Sequence, residues 1–305
     1  MSTAAPRKDP LRKACEEVAD GVFVYMSGKL GPNALFVIGP ESILLFDTLM
    51  TPAMAEDLHT AIRHVSAKPI TTVIYSHYHG DHVLGCERFA PPAVVIAHEN
   101  TRRFLEQIGA YFIPVYASWR RTPEDAAAVR QVRRIVPPVV TFRERLTVYV
   151  DDIRVELRHL GPGHSPSDII ALLPEKEVLA TGDLLIYQSV SGVRDARTEG
   201  WIRRMDELYA LAPRVIVPGH GQWTEEKWII TEARDFMAYI WNVCREAHAA
   251  GRTVDDVLRA LDVAPWRHFH GLNRLHEVVI RNYEELEGRP SKYELAACHQ
   301  LIVDA

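Results

Sequence analysis

The sequence predicts an α+β fold, with two β-rich halves, each followed by helices, packed as a sandwich of two sheets under helices on both outer faces. Three observations carry this expectation. Short apolar, β-branched runs bounded by glycine or proline recur through the first two thirds of the chain. Between them lie segments with apolar residues at helical spacing, such as Met54, Leu58, Ile62 and Val65. After Gly221 the pattern turns helical. Periodicity alone supports only a mixed α and β class; the order of the segments suggests the layers.

In chain order, residues 1–18 read as an N-terminal tail or a short leading helix. Residues 21–25 and 33–39 flank a glycine-containing loop at 27–32 with hairpin chemistry, and 42–48 form a third strand. Pro52 stands where a helix begins, and that helix runs to Val65. Residues 70–75 read as a buried strand, and 93–98 as another. From Thr101 to Val136 the strand pattern stops, and the stretch holds Phe104, Tyr111, Phe112, Tyr116 and Trp119 before a charged helix over 123–134. It is either a lid supplying an apolar wall for substrate or a connecting pair of helices whose aromatics reach the core. The domain organisation expected is therefore a tail, a catalytic domain over 19–223 and a C-terminal helical extension over 224–305. Helical patterns in that extension cover 225–249, 254–261 and 272–286, with Thr253 before Asp255 and Asp256 as a helix start. The block can close a groove, mediate a homodimer or cover a sheet face.

The chemistry sits at strand ends. Ser76-His77-Tyr78-His79-Gly80-Asp81-His82 follows the run Ile70-Thr71-Thr72-Val73-Ile74-Tyr75. His77 and His79 can converge on one cation while Asp81 and His82 point elsewhere and can take a second. Three more segments put a ligand-type residue beside glycine after an apolar run: Leu160-Gly161-Pro162-Gly163-His164, Thr181-Gly182-Asp183 and Pro218-Gly219-His220. Imidazole and carboxylate together suit zinc, with iron and manganese as further options. A lone His-x-His is more simply a pair of hydrogen-bonded turn residues. Four such segments in order make a metal site.

The series resembles the metallo-β-lactamase superfamily, in its dinuclear zinc hydrolase branch, across roughly residues 19–221. The resemblance implies a four-layer αββα sandwich. It also implies that His77, His79 and His164 bind a first metal, that Asp81, His82 and His220 bind a second, and that Asp183 bridges them. Position 183 is Asp where the antibiotic-degrading members carry Cys, which points to the broader hydrolases. The Gly-His with Asp168 four residues later, Thr-Gly-Asp and Pro-Gly-His-Gly make the chain similar to glyoxalase-like and quinoprotein-associated zinc hydrolases. The implied cofactor is two Zn²⁺ per chain.

A metal pair can activate a bridging water to hydroxide and polarise a carbonyl or phosphoryl oxygen, which suits an ester, thioester, lactone, β-lactam or phosphoester. Asp81 is expected to orient that hydroxide and is the candidate catalytic residue. Asp168 is either an acceptor for a ligand histidine N–H or a turn residue. Substrate choice is expected to lie with the 27–32 loop, the 101–136 stretch, Tyr187-Gln188 and the C-terminal helices. One rival is a mononuclear iron oxidoreductase resembling persulfide dioxygenases; another is a nucleic-acid-processing or non-enzymatic member of the fold.

The composition bounds the rest. The chain has 305 residues, 47% hydrophobic and 25% charged, ordinary values for a soluble globular enzyme; the partner expected is a small-molecule substrate. A net charge of −5 argues against nucleic acid, and Arg130, Arg133 and Arg134 read as a solvated helix face. No apolar leader or membrane-length run is present in the sequence, so the expectation is cytoplasmic, with no membrane partner. Cys15, Cys86, Cys244 and Cys298 form no CxxC, which predicts neither a disulfide framework nor a zinc knuckle. Cys86 is expected to pack behind the site rather than join it. His268, His270 and His276 are expected at the surface or in packing.

Overall fold

A computed structural model describes residues 14–211 and 213–291. Twelve strands among these residues form two sheets. One has seven strands: β1 (Cys15–Ala19), β2 (Val22–Met26), β3 (Asn33–Ile38), β4 (Ile43–Phe46), β5 (Ile70–Ile74), β6 (Val94–His98) and β7 (Val140–Phe142), in sequence order. The other has five: β8 (Arg145–Val150), β9 (Ile153–His159), β10 (Ile169–Leu173), β11 (Val178–Ala180) and β12 (Val215–Val217), likewise in order.

Period-two alternation sorts the side chains of the first sheet. Phe36, Ile43, Leu45 and Val73 face one core with α1 (Pro52–Val65), α3 (Glu99–Ser118) and α4 (Pro123–Arg130). Their neighbours Leu35, Val37, Leu44, Phe46 and Ile74 face the opposite way and meet Val155, Leu157, Ala171, Val178 and Val217 of the second sheet. Beyond that sheet Ile170, Leu179 and Ile216 pack against α5 (Thr198–Leu211), α6 (Trp228–Ala249) and α8 (Leu275–Leu286). Three cores between four layers make the αββα sandwich expected from the order of segments. Burying both faces of each sheet explains why the strands read as near-continuous apolar runs.

Several boundaries differ from expectation. Cys15–Ala19 is an edge strand paired antiparallel with β2 rather than the end of a tail or leading helix; the rest of that tail, up to residue 13, lies outside the described residues. Glu17 and Ala19 straddle a bulge there, which weakened the alternation that would have signalled a strand. Helix α4 ends at Arg130, short of 134, and Val132 then packs into the core from non-helical backbone. Short α7 (Val254–Ala260) opens with the capping box Thr253–Asp256, as the acids there suggested. Among the described residues no helix is long and apolar enough to cross a membrane.

Parallel pairing of β4, β5 and β6, and of β11 with β12, brings the strand ends that carry polar residues to one edge of the sandwich. Asn33 ties that edge together. Its backbone N–H donates to Gly219 O (2.7 Å), and its side-chain amide donates to Pro218 O (2.9 Å) and Gly221 O (2.8 Å). Replacing Asn33 by Ala leaves the carbonyls of Pro218 and Gly221 without the side-chain donor, which should destabilise the protein by about 1–3 kcal/mol. Denaturant titration of purified Asn33→Ala against the parent chain measures this; an unchanged midpoint would show that the staple carries no stability.

Candidate metal centre

All seven residues singled out from the sequence meet at the shared edge. His77, His79 and Asp81-His82 leave the end of β5, with Asp81 and His82 in the single turn α2 (Gly80–Val83). His164 lies in the loop between β9 and β10, Asp183 follows β11, and His220 follows β12. Their ligand atoms fall into three overlapping groups, each within 4.8 Å: His77/His79/His164, His77/His82/Asp183 and Asp81/His82/His220.

Asp183 occupies the centre. Its Oδ1 lies 3.2 Å from His82 Nε2, and its Oδ2 lies 3.4 Å from both His164 Nε2 and His220 Nε2. Asp81 Oδ2 stands 3.3 Å from His220 Nε2, and His79 Nδ1 is 2.9 Å from His164 Nε2. Gly219 makes this approach possible, since a Cβ there would fall 2.0 Å from Asp183 Oδ1.

The donor set fits metal ions. His77 Nε2, His82 Nε2 and Asp183 Oδ1 are buried without a hydrogen-bond partner, a costly state for polar atoms in a packed interior. They point at one another, together with nitrogens and oxygens of the other ligands, so cations held between them would satisfy the whole group.

Two carboxylates that the sequence reading did not single out orient the ligands from behind. Asp47 Oδ2 pairs with His82 Nδ1 (2.8 Å) and accepts from Ser76 Oγ (2.7 Å), while its Oδ1 accepts from Ser76 N (2.7 Å). Asp195 Oδ2 pairs with His79 Nε2 (2.8 Å) and accepts from Tyr78 OH (2.5 Å). Asp47 follows β4 directly and has the same apolar-run-then-acid form as the recognised segments, lacking only their glycine. It adopts φ +66° without being glycine, a strained geometry of the kind that collects at functional sites. Asp195 follows no strand, so no pattern announced it.

The surroundings settle the open alternatives. Asp168 accepts from Ser165 N (2.7 Å) and Ser165 Oγ (2.6 Å), which makes it a turn residue that shapes the His164 loop; burial pushes its carboxyl up to about 7. Cys86 is fully buried in the core under the first sheet. His268 pairs with Glu232 (2.9 Å) and does not join the ligand groups. The aromatics of the 101–136 stretch divide. Phe104 and Phe112 stack on Tyr78 in the core, and Tyr111 faces outward. Tyr116 and Trp119 line a cleft of about 1220 Å³ that opens over the ligands. The stretch is thus connecting helix and cleft wall at once, and the Tyr116 hydroxyl also accepts from Gly80 N (2.9 Å) in the metal loop. Leu30 of the 27–32 loop lines the cleft, and its carbonyl pairs with His220 Nδ1 (3.0 Å). Tyr187 and Gln188 do not line it: Tyr187 packs with the C-terminal helices and Gln188 donates to Glu232. Their neighbours Ile186 and Ser189 face the cleft instead.

Residues 27–220 match the metallo-beta-lactamase superfamily. A linear primary-alkylsulfatase of Pseudomonas sp. is 23% identical over 259 residues, 74% of this chain and 49% of that protein. A type 2 metallo-beta-lactamase of Bacteroides fragilis is 25% identical over 219 residues, 68% of this chain and 78% of that one. The solved stereoselective inverting sec-alkylsulfatase of Pseudomonas sp. superposes with a TM-score of 0.70 at 20% identity, over 89% of this chain and 50% of the other. The chain thus spans about half the length of these alkylsulfatases.

Two measurements test the centre. Asp195→Asn keeps an acceptor for His79 and removes the charge, so metal affinity should fall about 10–100-fold in a chelator competition; unchanged affinity would reduce Asp195 to packing. The second concerns protons. Burial disfavours the charged form of His220, yet the Asp183 and Asp81 carboxylates outweigh it and raise that histidine to about 10; His82 is raised against burial by Asp183 and Asp47. Coordination must displace these protons, so metal affinity should rise with pH between 6 and 9, with proton uptake by buffer during titration. In chelated protein the stability gained by the raised His220 is fully present below its unfolded value near 6.5 and is lost as pH rises toward 10, and His82 acts in the same direction. Metal affinity that is flat across that range would contradict the protonation.

Proposed function

The chain belongs to the metallo-beta-lactamase superfamily, and from that premise we propose that it is a hydrolase working with two zinc ions. The observation that supports this is the convergence of five imidazoles and two carboxylates in overlapping groups around Asp183. His77, His79 and His164 would hold one ion, Asp81, His82 and His220 the other, with Asp183 between them. Bound there, the pair would lower the pKa of a water and polarise the oxygen of the scissile group.

The chain's own groups supply the rest. Asp81 is the ligand carboxylate most open to the cleft, its side chain 23% exposed, so it can accept a hydrogen bond from the attacking water and hold its direction. Asp47 and Asp195 fix the ring orientation of His82 and His79. Met50, Met54 and Trp119 give the cleft an apolar side. The substrate is a small molecule with an ester, thioester, lactone, β-lactam or phosphoester bond, and the names of the alkylsulfatase relatives add sulfate esters. A single-iron oxidoreductase needs only the first set of ligands; the second set, complete through His220, favours hydrolysis.

Elemental analysis of metal-replete protein should find about two zinc ions per chain. Asp183→Ala should lose at least one of them and more than ~100-fold of the activity found in a screen over the bond types named, because it removes the group shared by both sets. One iron with no second metal at saturation, or an Asp183→Ala protein keeping both metals and full turnover, would overturn the reading.

A further inference from the structure

The charge of the cleft wall runs against the charge of the protein. The chain carries a net −5, yet outside the ligand set the cleft presents Arg120, Arg121, Arg194 and Arg274 against only Asp125 and Glu277. We propose that the substrate carries a second anionic group, a carboxylate, sulfate or phosphate, which Arg194 and Arg274 hold beside the metal centre. The anion site stands on the arginines alone; its placement next to a scissile bond rests on the hydrolase reading above.

The Cζ of Arg194 lies over the indole of Trp119, 3.6 Å from the ring centroid, a separation that fits stacking. Stacking occupies the face of a guanidinium and leaves its donors in the plane, the edge that meets an oxyanion through two parallel hydrogen bonds. The adjacent carboxylate of Asp195 is already engaged by His79 and Tyr78. Arg274 approaches from another wall. A Cβ built on Gly192 would sit 3.7 Å from Arg274 Nη2 and 3.9 Å from His164 Cε1, so the guanidinium and a ligand imidazole are separated by the width of one small side chain. Glycine at 192 keeps that gap open. Glu277 meets Arg274 through one contact of 3.2 Å and leaves it further donors. Arg274 stands in the C-terminal block, beyond the 27–220 span matched to the superfamily.

Both guanidiniums line the cleft that holds the ligands, and Arg274 stands within the width of one small side chain of His164, so the anion should lie within a few bonds of the reacting group. Because arginine stays charged at any working pH, the attraction should be insensitive to pH and weakened by salt.

The test uses zinc-loaded protein and two probe pairs. Mono-p-nitrophenyl glutarate and p-nitrophenyl butyrate differ in the remote carboxylate; glutarate and glutaramide compare charged and neutral ligands without a reaction. We expect a kcat/KM roughly tenfold or more higher for the anionic ester, and tighter binding of glutarate by calorimetry, both shrinking as salt is raised. Arg194→Gln and Arg274→Gln should each reduce the anionic-to-neutral ratio of kcat/KM, mainly through KM, and weaken glutarate binding roughly tenfold at unchanged zinc content. Equal preference for charged and neutral members, or glutarate binding untouched in both variants, would overturn the proposal. Arginine-dependent glutarate binding in a protein that cleaves neither ester would uphold the anion site while the reading as an ester hydrolase falls.

Discussion

Everything at the site depends on one crowded arrangement, the carboxylate of Asp183 set between His82, His164 and His220. Gathering seven polar ligands at the end of a sandwich, most of them buried, is unfavourable unless each finds a partner. The ligands partly satisfy one another, and the orphaned atoms of His77, His82 and Asp183 define where cations belong. The αββα architecture makes this tolerable because the burden falls on rigid strand ends. Parallel pairing aligns the ends of β4, β5 and β6 with those of β11 and β12, and Ile169 N donates to Ser76 O across the junction of the sheets. Most of the ligands thus sit at or just past strand ends held by backbone hydrogen bonding, and His164 is carried by the loop between β9 and β10.

The supporting groups reach the ligands from different parts of the chain. Asp47 holds His82 from within the first sheet. Asp195 holds His79 from a loop that is itself gripped by α8: Arg281 donates twice to Ala196 O, Thr198 Oγ1 donates to Asn282, and Thr198 N donates to Glu285. The C-terminal helices therefore do more than cover a sheet face. They fix the backbone that carries an acceptor for a ligand histidine, and they place Arg274 in the cleft.

Legibility in the sequence followed the physics. Strand-borne ligands were readable because a β-branched run ending in His or Asp beside glycine is a local signal, and the structure gathers all seven at one edge. Layering was readable because alternation and helical spacing are local too. What escaped is set by tertiary contact. Asp195 lies in a loop with no periodicity, Asn33 acts across the fold on the His220 turn, and only the packed structure shows that Phe104 and Phe112 stay in the core while Tyr116, packed with them, also reaches the cleft beside Trp119. The edge strand Cys15–Ala19 was missed because a bulge interrupts its alternation and Glu16 and Glu17 are exposed.

This division of labour has a functional consequence. The strands supply the reactive centre, and its charge and geometry are fixed by residues that cannot move without unpairing a sheet or stranding a buried carboxylate. The walls come from segments free of that constraint: the 27–32 loop, helix α3 with Trp119, the loop after β11 with Arg194, and the C-terminal block with Arg274. A change in the walls alters which molecule fits while leaving the strand-end ligands in place. A change among the ligands alters whether water can be activated at all. The substrate of this chain is accordingly written in its helices and loops, where charge and shape are the readable quantities, and the charge there is positive in a protein that is otherwise acidic.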